Sequence, residues 1–179
     1  MTLSPFRRSR QSCGGTNPSC PPHRLGKDQV KYEAFHSSLR FSHALTGDAL
    51  VVGAGTVGYY LSRDLLDRGH EVTLIEKEAR RADWLETQLG SIVMRGDGCE
   101  VKFLSQTGIE RADAIVAVTA DDEDNLIALQ MAKRHFNVKK TIARVNNPSN
   151  VEIFKTLGVD DAVSATEILL GALEPPITT

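Results

Sequence analysis

At 179 residues and a formal net charge of −2, the chain has room for one domain of ordinary size plus appendages. No stretch approaches 18 consecutive apolar residues, so no segment reads as a membrane-spanning helix. The near-neutral total hides an asymmetry: residues 1–47 hold seven Lys/Arg against two Asp/Glu, and residues 48–179 hold 14 against 21. A part that acidic argues against nucleic acid as a partner.

Residues 1–47 differ in kind from the rest. They are rich in Pro, Ser, Gly and Arg, carry no acid before Asp28 and lack apolar periodicity. Such a segment cannot bury enough surface to offset its ordering entropy, and the expectation is a disordered basic extension. Its composition also resembles a transit peptide, although its prolines and glycines spoil an amphipathic helix. Cys13 and Cys20 lie seven apart and Cys99 is far downstream, which suits neither a zinc knuckle nor a disulfide framework. A reducing cytosol is the default that follows.

From Asp48 the chain alternates strand and helix. The apolar run 49–53 leads directly into Gly53-Ala54-Gly55-Thr56-Val57-Gly58 and then into a helix over 56–68. Strand, tight glycine turn and helix form the context in which this spacing reads as a dinucleotide fingerprint. Gly53 permits the turn, Gly55 lets backbone approach a pyrophosphate, and Gly58 lets the helix pack close to the sheet. The helix start near Thr56 points free N–H groups and a positive dipole end at phosphates. The strand over 71–75 ends at Glu76, 18 residues beyond Gly58. A carboxylate there can accept both hydroxyl protons of an adenosine ribose and repels a 2′-phosphate, although the neighbouring Lys77 could accommodate one.

Further along, the pattern predicts a helix over 79–89, a strand over 91–94 followed by Gly96-Asp97, and a helix over 99–106. A strand over 113–118 ends at Thr119-Ala120. A helix over 122–136, a strand over 140–145 containing Arg144, a helix over 149–156 and a strand over 161–163 complete the series. Apolar, β-branched strands alternating with helices mean a parallel sheet covered on both faces. With right-handed crossovers, the expected fold is α/β, a doubly wound Rossmann-like sheet of order 3-2-1-4-5-6, with ligand at the carboxyl ends of the first and fourth strands. Asp121 to Asp124 could hold a metal but are explained by helix capping and the dipole. Arg144 in an apolar strand calls for an anionic ligand or an inter-subunit partner. Asn125 to Ala132 is apolar around most of its helix, which suits either a partner surface or plain burial. Trp84 reads as packing, and His70 and His135 as helix-end charges.

The run GAGTVG, IEKE, GDG, LSQTGIERADAIVAVTADDEDN and IARVNNPSN resembles the N-terminal domain of the regulator-of-potassium-conductance family, in its Trk-type potassium uptake branch. The resemblance covers about 120 residues from Ala49 to the Val159–Ala162 region. It implies a domain, residues 48–165, that binds NAD(H) or the adenine nucleotides ATP and ADP. It further implies a homo-oligomer that gates a membrane potassium channel or transporter from the cytoplasmic face. Carried over by residue, Gly53, Ala54, Gly55, Thr56 and Val57 would cradle the pyrophosphate and Glu76 would hold the adenosine ribose. Asp97 would sit beside the adenine edge, Thr119 and Ala120 would line the nicotinamide-side ribose or phosphate, and Arg144 would supply a positive contact. Relatives that prefer ATP often carry Arg where Thr56 stands, which tilts the expectation toward NAD. Residues 166–179 read as a C-terminal tail or the start of a crossover segment, leaving the family's C-terminal sensing domain outside this sequence.

Two function classes remain on these grounds: a non-catalytic nucleotide-sensing subunit of a potassium transport system, and an NAD-dependent oxidoreductase. A dehydrogenase needs an acid/base and an orienting group beside the nicotinamide, and no His or Tyr-Lys pair lies in the expected loops. The expectation is therefore a regulator.

Overall fold

The computed structural model describes residues 47–173. Apart from Gly47, the basic extension expected over residues 1–47 lies outside the described residues, as do residues 174–179. In chain order the elements are β1 (Asp48–Val52), α1 (Thr56–Asp67), β2 (Glu71–Glu76), α2 (Ala79–Leu89), β3 (Val93–Arg95) and α3 (Val101–Leu104). There follow β4 (Ala112–Ala117), α4 (Asp122–Phe136), β5 (Lys140–Val145), α5 (Val151–Thr156), β6 (Asp161–Ser164) and α6 (Ala165–Leu173). The strands form one sheet in the order β3-β2-β1-β4-β5-β6, and every pairing is parallel. The doubly wound sheet expected from the alternation is the one that forms.

Because side chains alternate along a strand, each strand feeds both faces. Leu50, Val52, Ile75, Ile115, Ala117, Ala143 and Val145 meet Leu104 of α3, Ala128, Leu129 and Ala132 of α4, and Phe154 of α5 on one face. On the other, Ala49, Val51, Val72, Leu74, Val116 and Ile142 meet Leu65 of α1 and Leu85 of α2. Burial on both sides is why these strands read as continuous apolar runs.

Four expectations shift. The strand expected at 91 starts at Val93, because Gly90, at φ +74°, ends α2 and Gly90–Ile92 winds a 3₁₀ turn. The helix expected over 99–106 contracts to one turn, since the Asp97 carboxylate accepts the Cys99 N–H at 2.8 Å and holds the entry in a loop. The apolar breadth of α4 is burial rather than a free partner surface: Leu129 is fully buried and Leu126 and Met131 pack against the core. Only Ile127 of that group is exposed. Trp84 is half exposed and tilted against Tyr59 at 5.9 Å, not packed in the interior. The exposed apolar residues gather elsewhere: Ile153 and Leu157 at α5, and Ile168, Leu169, Leu170 and Leu173 on α6, a helix with no buried residue.

Candidate functional site

The order of the sheet makes a crevice where β1 lies between β2 and β4, since the chains leaving those strands diverge to opposite faces. Hydrogen bonds extend the sheet past its strand ends and tie the loops together there. Gly53 N–H donates to Ile75 O at 3.0 Å, Gly96 N–H to Glu76 O at 3.0 Å, and Val118 N–H to Val52 O at 2.9 Å.

The three fingerprint glycines have different physical reasons. Gly53 sits at φ +95°, and a Cβ there would stand 2.9 Å from the Thr119 backbone nitrogen. At Gly58 a Cβ would lie 1.9 Å from Gly53 O, so this glycine lets α1 rest directly on the turn. Gly55 is unlike both. Its φ is −62°, and among the described residues, its chain neighbours aside, the only atom within 4 Å of a Cβ there is Arg81 Nη1, at 3.8 Å. The fold has room for a side chain at Gly55, so packing among the described residues does not by itself require glycine there. Helix α1 starts at this point with no side-chain cap and no acid in its first turn. Its free N–H groups and positive dipole end face outward for an anion.

Around the turn, the cleft of about 240 Å³ is lined from both halves of the sheet. Gly53, Ala54, Gly55, Glu76, Asp97, Thr119, Ala120 and Arg144 all line it. Thr56 lines an adjoining hollow of about 520 Å³ with Tyr59, Tyr60, Arg80, Arg81 and Trp84. Val57 and Gly58 stand outside both linings, Val57 exposed on α1 and Gly58 buried beneath the turn. Glu76 is 8 % exposed, and its two carboxylate oxygens accept the Ala54 N–H at 3.2 Å and the Glu78 N–H at 2.9 Å. The carboxylate thus holds the glycine turn against the end of β2 and keeps further lone pairs for a ligand.

Opposite Glu76, Asn125 is fully buried and serves as the bracket. Its Oδ1 accepts the Thr119 N–H at 2.9 Å and the Thr119 hydroxyl at 2.8 Å, while its amide donates to Arg144 O at 2.9 Å. This fixes the end of β4 against β5. Arg144 Nε is buried with no hydrogen-bond partner among the described residues, on a residue that lines the cleft. A buried guanidinium nitrogen without a partner calls for a polar neighbour, an anion or a water.

The acidic start of α4 does not cap its own helix through a side chain. Asp121 makes no side-chain capping bond. The carboxylate of Asp122 accepts from the Asn146 and Asn147 N–H groups and from the Asn150 amide, at 2.7, 3.1 and 2.8 Å. Burial pushes this carboxyl up, but those donors together outweigh it and hold it below the ordinary value. Asp124 reaches across the cleft to Lys77 Nζ at 2.8 Å. The Cys99 thiol is pushed up to about 12 by burial and then by Asp124 and Asp97, so it supplies no thiolate near neutrality. The chemistry on offer is recognition of an anion that also bears hydroxyls.

Arg81 and Asn125 line or brace this cleft without having been singled out from the sequence as site residues, while Lys77 and Asp124, weighed there for a 2′-phosphate and a metal, instead pair with each other. Asn125 had a signal, because it closes the Asp122-Glu123-Asp124-Asn125 run. The position of Arg81 over the turn depends on how α2 is docked and had none.

A family model described as the TrkA-N domain matches residues 49–165. Over 129 residues the chain is 38% identical to a protein named Trk system potassium uptake protein TrkA homolog from Methanothermobacter thermautotrophicus, covering 72% of this chain and 59% of that one. The chain therefore spans about three-fifths of that relative's length. Among solved structures, the NAD(P)-binding domain of an exopolyphosphatase-related protein from Archaeoglobus fulgidus superposes with a TM-score of 0.63 at 25% identity, covering 74% of this chain and 98% of that one. The GsuK channel bound to NAD shares the fold at 22% identity and a TM-score of 0.63, covering 79% of this chain and 27% of that one.

Proposed function

The chain belongs to the TrkA-N domain family, and from that premise we propose that it is a nucleotide-sensing regulatory subunit of a potassium transport system rather than an enzyme. The ligand is an adenine dinucleotide, NAD or NADH, with ATP and ADP as the alternatives within the same class. The observation that carries this reading is the conjunction of a sterically unneeded glycine at Gly55 with the orphaned Arg144 Nε in one cleft. A polyanion lying along the glycine turn answers both, and relatives named for potassium uptake supply the physiological setting.

In this reading residues 48–165 are the nucleotide-binding domain. Gly53 to Val57 cradle the pyrophosphate through backbone N–H groups, and Gly58 keeps α1 against the turn. Glu76 accepts the adenosine ribose hydroxyls, and Asp97 lies beside the adenine edge. Thr119 and Ala120 border the far ribose or phosphate, and Arg144 gives the positive contact. Such a ligand touches both halves of the sheet, so it can favour one arrangement of them, which is what coupling to a transporter requires. The protein works as a homo-oligomer at the cytoplasmic face of a membrane channel or transporter. The exposed apolar residues of α5 and α6, rather than α4, are the surface offered for self-association. Among the described residues, no helix is long and apolar enough to cross a membrane.

Calorimetry with NAD, NADH, ATP and ADP tests the reading directly. The parent should bind an adenine nucleotide. Gly55→Val should bind it at least a hundredfold more weakly, while the free protein stays folded with a melting temperature lowered by roughly 2–8 °C, the scale of a lost helix cap. Coexpressed with a Trk-type membrane subunit, the parent should make potassium uptake depend on Gly55 and Arg144. Equal affinity in parent and variant, or NADH consumption with a small carbonyl substrate, would overturn it.

A further inference from the structure

The cleft is short of positive charge for the ligand just described. Its lining carries the carboxylates Glu76, Asp97, Asp121 and Asp124 against Lys77, Arg81 and Arg144. Lys77 is already spent on Asp124 at 2.8 Å, and Arg144 lies on β5, across the cleft from β2 and α2. That leaves Arg81. Its Nη1 stands 3.8 Å from the point where a Gly55 side chain would begin, directly over the turn. Among the described residues its one ionic neighbour is Glu78, at 3.7 Å on the exposed surface, with the Arg81 side chain 48% exposed. Arg81 is also the side chain shared by the two hollows that meet at Ala54 and Gly55. A guanidinium here is held loosely, with its fork of donors uncommitted.

We infer that Arg81 is a phosphate-binding residue of this site, closing over the anion that the glycine turn receives from below. The inference rests on the nucleotide-binding reading and deepens it: the site selects nucleotides for their phosphates, through a clamp of backbone N–H groups on one side and the α2 guanidinium on the other. Charge-assisted bonds of this kind are stronger than neutral ones and weaken as salt screens them. Phosphate-free adenosine should therefore be indifferent to Arg81, whereas ADP and NAD should depend on it.

The test titrates NAD, ADP and adenosine into the full chain and into Arg81→Ala and Arg81→Lys. Arg81 is on the helix surface, so both variants should melt within a few degrees of the parent. Arg81→Ala should weaken NAD and ADP at least tenfold, change adenosine less than twofold and flatten the salt dependence of NAD binding. Arg81→Lys should fall between, since it keeps the charge and loses the fork. Unchanged NAD and ADP affinities in Arg81→Ala would overturn the inference while leaving the nucleotide site standing. So would an equal loss for adenosine, which would mean that Arg81 acts through the fold. A parent that binds none of the three would remove the nucleotide reading itself, and this inference with it.

Discussion

The two ends of the sheet differ in what they leave over: both pair most of their charges, Lys77 with Asp124 at the carboxyl end included, but only the carboxyl end leaves a cleft with unclaimed donors. At the amino ends of the strands, charges are matched within the fold. Lys140 meets Asp161 at 2.6 Å, Lys139 meets Asp113 at 2.8 Å, and Lys133 meets Asp160 at 2.7 Å. The other oxygen of Asp160 takes both the N–H and the hydroxyl of Thr141 at 2.8 Å. At the carboxyl ends the fold stops short: α1 begins without a side-chain cap, Arg144 Nε has no partner among the described residues, and there is room before Gly55. Buried polar groups are ordinarily satisfied, so the two unpaired among the described residues, Arg144 Nε at the cleft and Ser62 Oγ within α1, stand out, and only the first borders the cleft. The amino end spends its polar groups on stability, and the carboxyl end is where the proposed nucleotide would sit.

The largest effect expected from that contrast lies between two glycines three residues apart. Gly58→Ala drives a methyl into Gly53 O, and overpacking of this kind costs about 1–3 kcal/mol, toward the upper end where backbone must move. Gly55→Ala meets only the far end of Arg81, at ordinary contact distance, and costs about 1 kcal/mol as a poorer helix cap. Urea unfolding of the two variants measures the difference. Comparable losses of stability would mean that the turn is as tightly packed at Gly55 as at Gly58, and the functional argument for Gly55 would go.

Next comes a pair of carboxylates, one at each end. Glu76→Ala should weaken NAD binding by roughly 1–3 kcal/mol, the scale for losing a charged hydrogen-bond partner. Asp160→Ala should take a similar roughly 1–3 kcal/mol from folding, because Thr141 loses its acceptor and Lys133 its counter-ion. Nucleotide affinity should be untouched by the second change. The parent should also prefer NAD to NADP, given the carboxylate at Glu76. Tight NADP binding, or an Asp160 variant that binds NAD poorly, would blur the division between the two ends.

Much of this division is legible in the residues alone. Leu50, Val51 and Val52 followed by Gly53, and Glu76 closing the next apolar run, announce the first two strands and the crevice between them. The order of the sheet then follows from handedness, since parallel crossovers have one allowed hand. What periodicity hides is partnership at a distance. The apolar girth of α4 looks the same whether Leu126 and Met131 meet their own core or another chain, and here the core takes them. Trp84 has a core-like identity, yet it stands half exposed beside Tyr59, because aromatic rings serve surfaces as readily as interiors. Asp122 looks like a helix cap by position, but its acceptors are claimed by Asn146, Asn147 and Asn150, between 24 and 28 residues away. A long-range clamp of that kind has no local signature.

That clamp sets the smallest of the expected effects, because it asks whether the recognition end also carries structural charge. Asp122 and Asp160 both lie below the ordinary carboxyl value: burial raises each, and hydrogen bonds outweigh it, with Lys133 adding to Asp160. A carboxyl depressed in the folded state contributes stability that is fully present above its unfolded value, near 4, and is lost as pH falls through the folded value. The melting temperature should therefore be flat near neutrality and decline on acidification below about pH 4. Asp122→Asn keeps the shape but cannot gain from ionisation. It should cost about 1 kcal/mol at pH 7 and shrink the acid-dependent decline. Asp160→Asn should do likewise from the opposite end, and the two losses should add, since the sites share no partner. Nucleotide affinity at pH 7 separates them further: Asp122 braces the loop beside Ala120, where the Asn146 amide donates to Ala120 O at 2.9 Å, so only its variant should weaken NAD binding. An Asp122→Asn protein with the parent's acid profile would show that the asparagine cluster holds its loop without the charge.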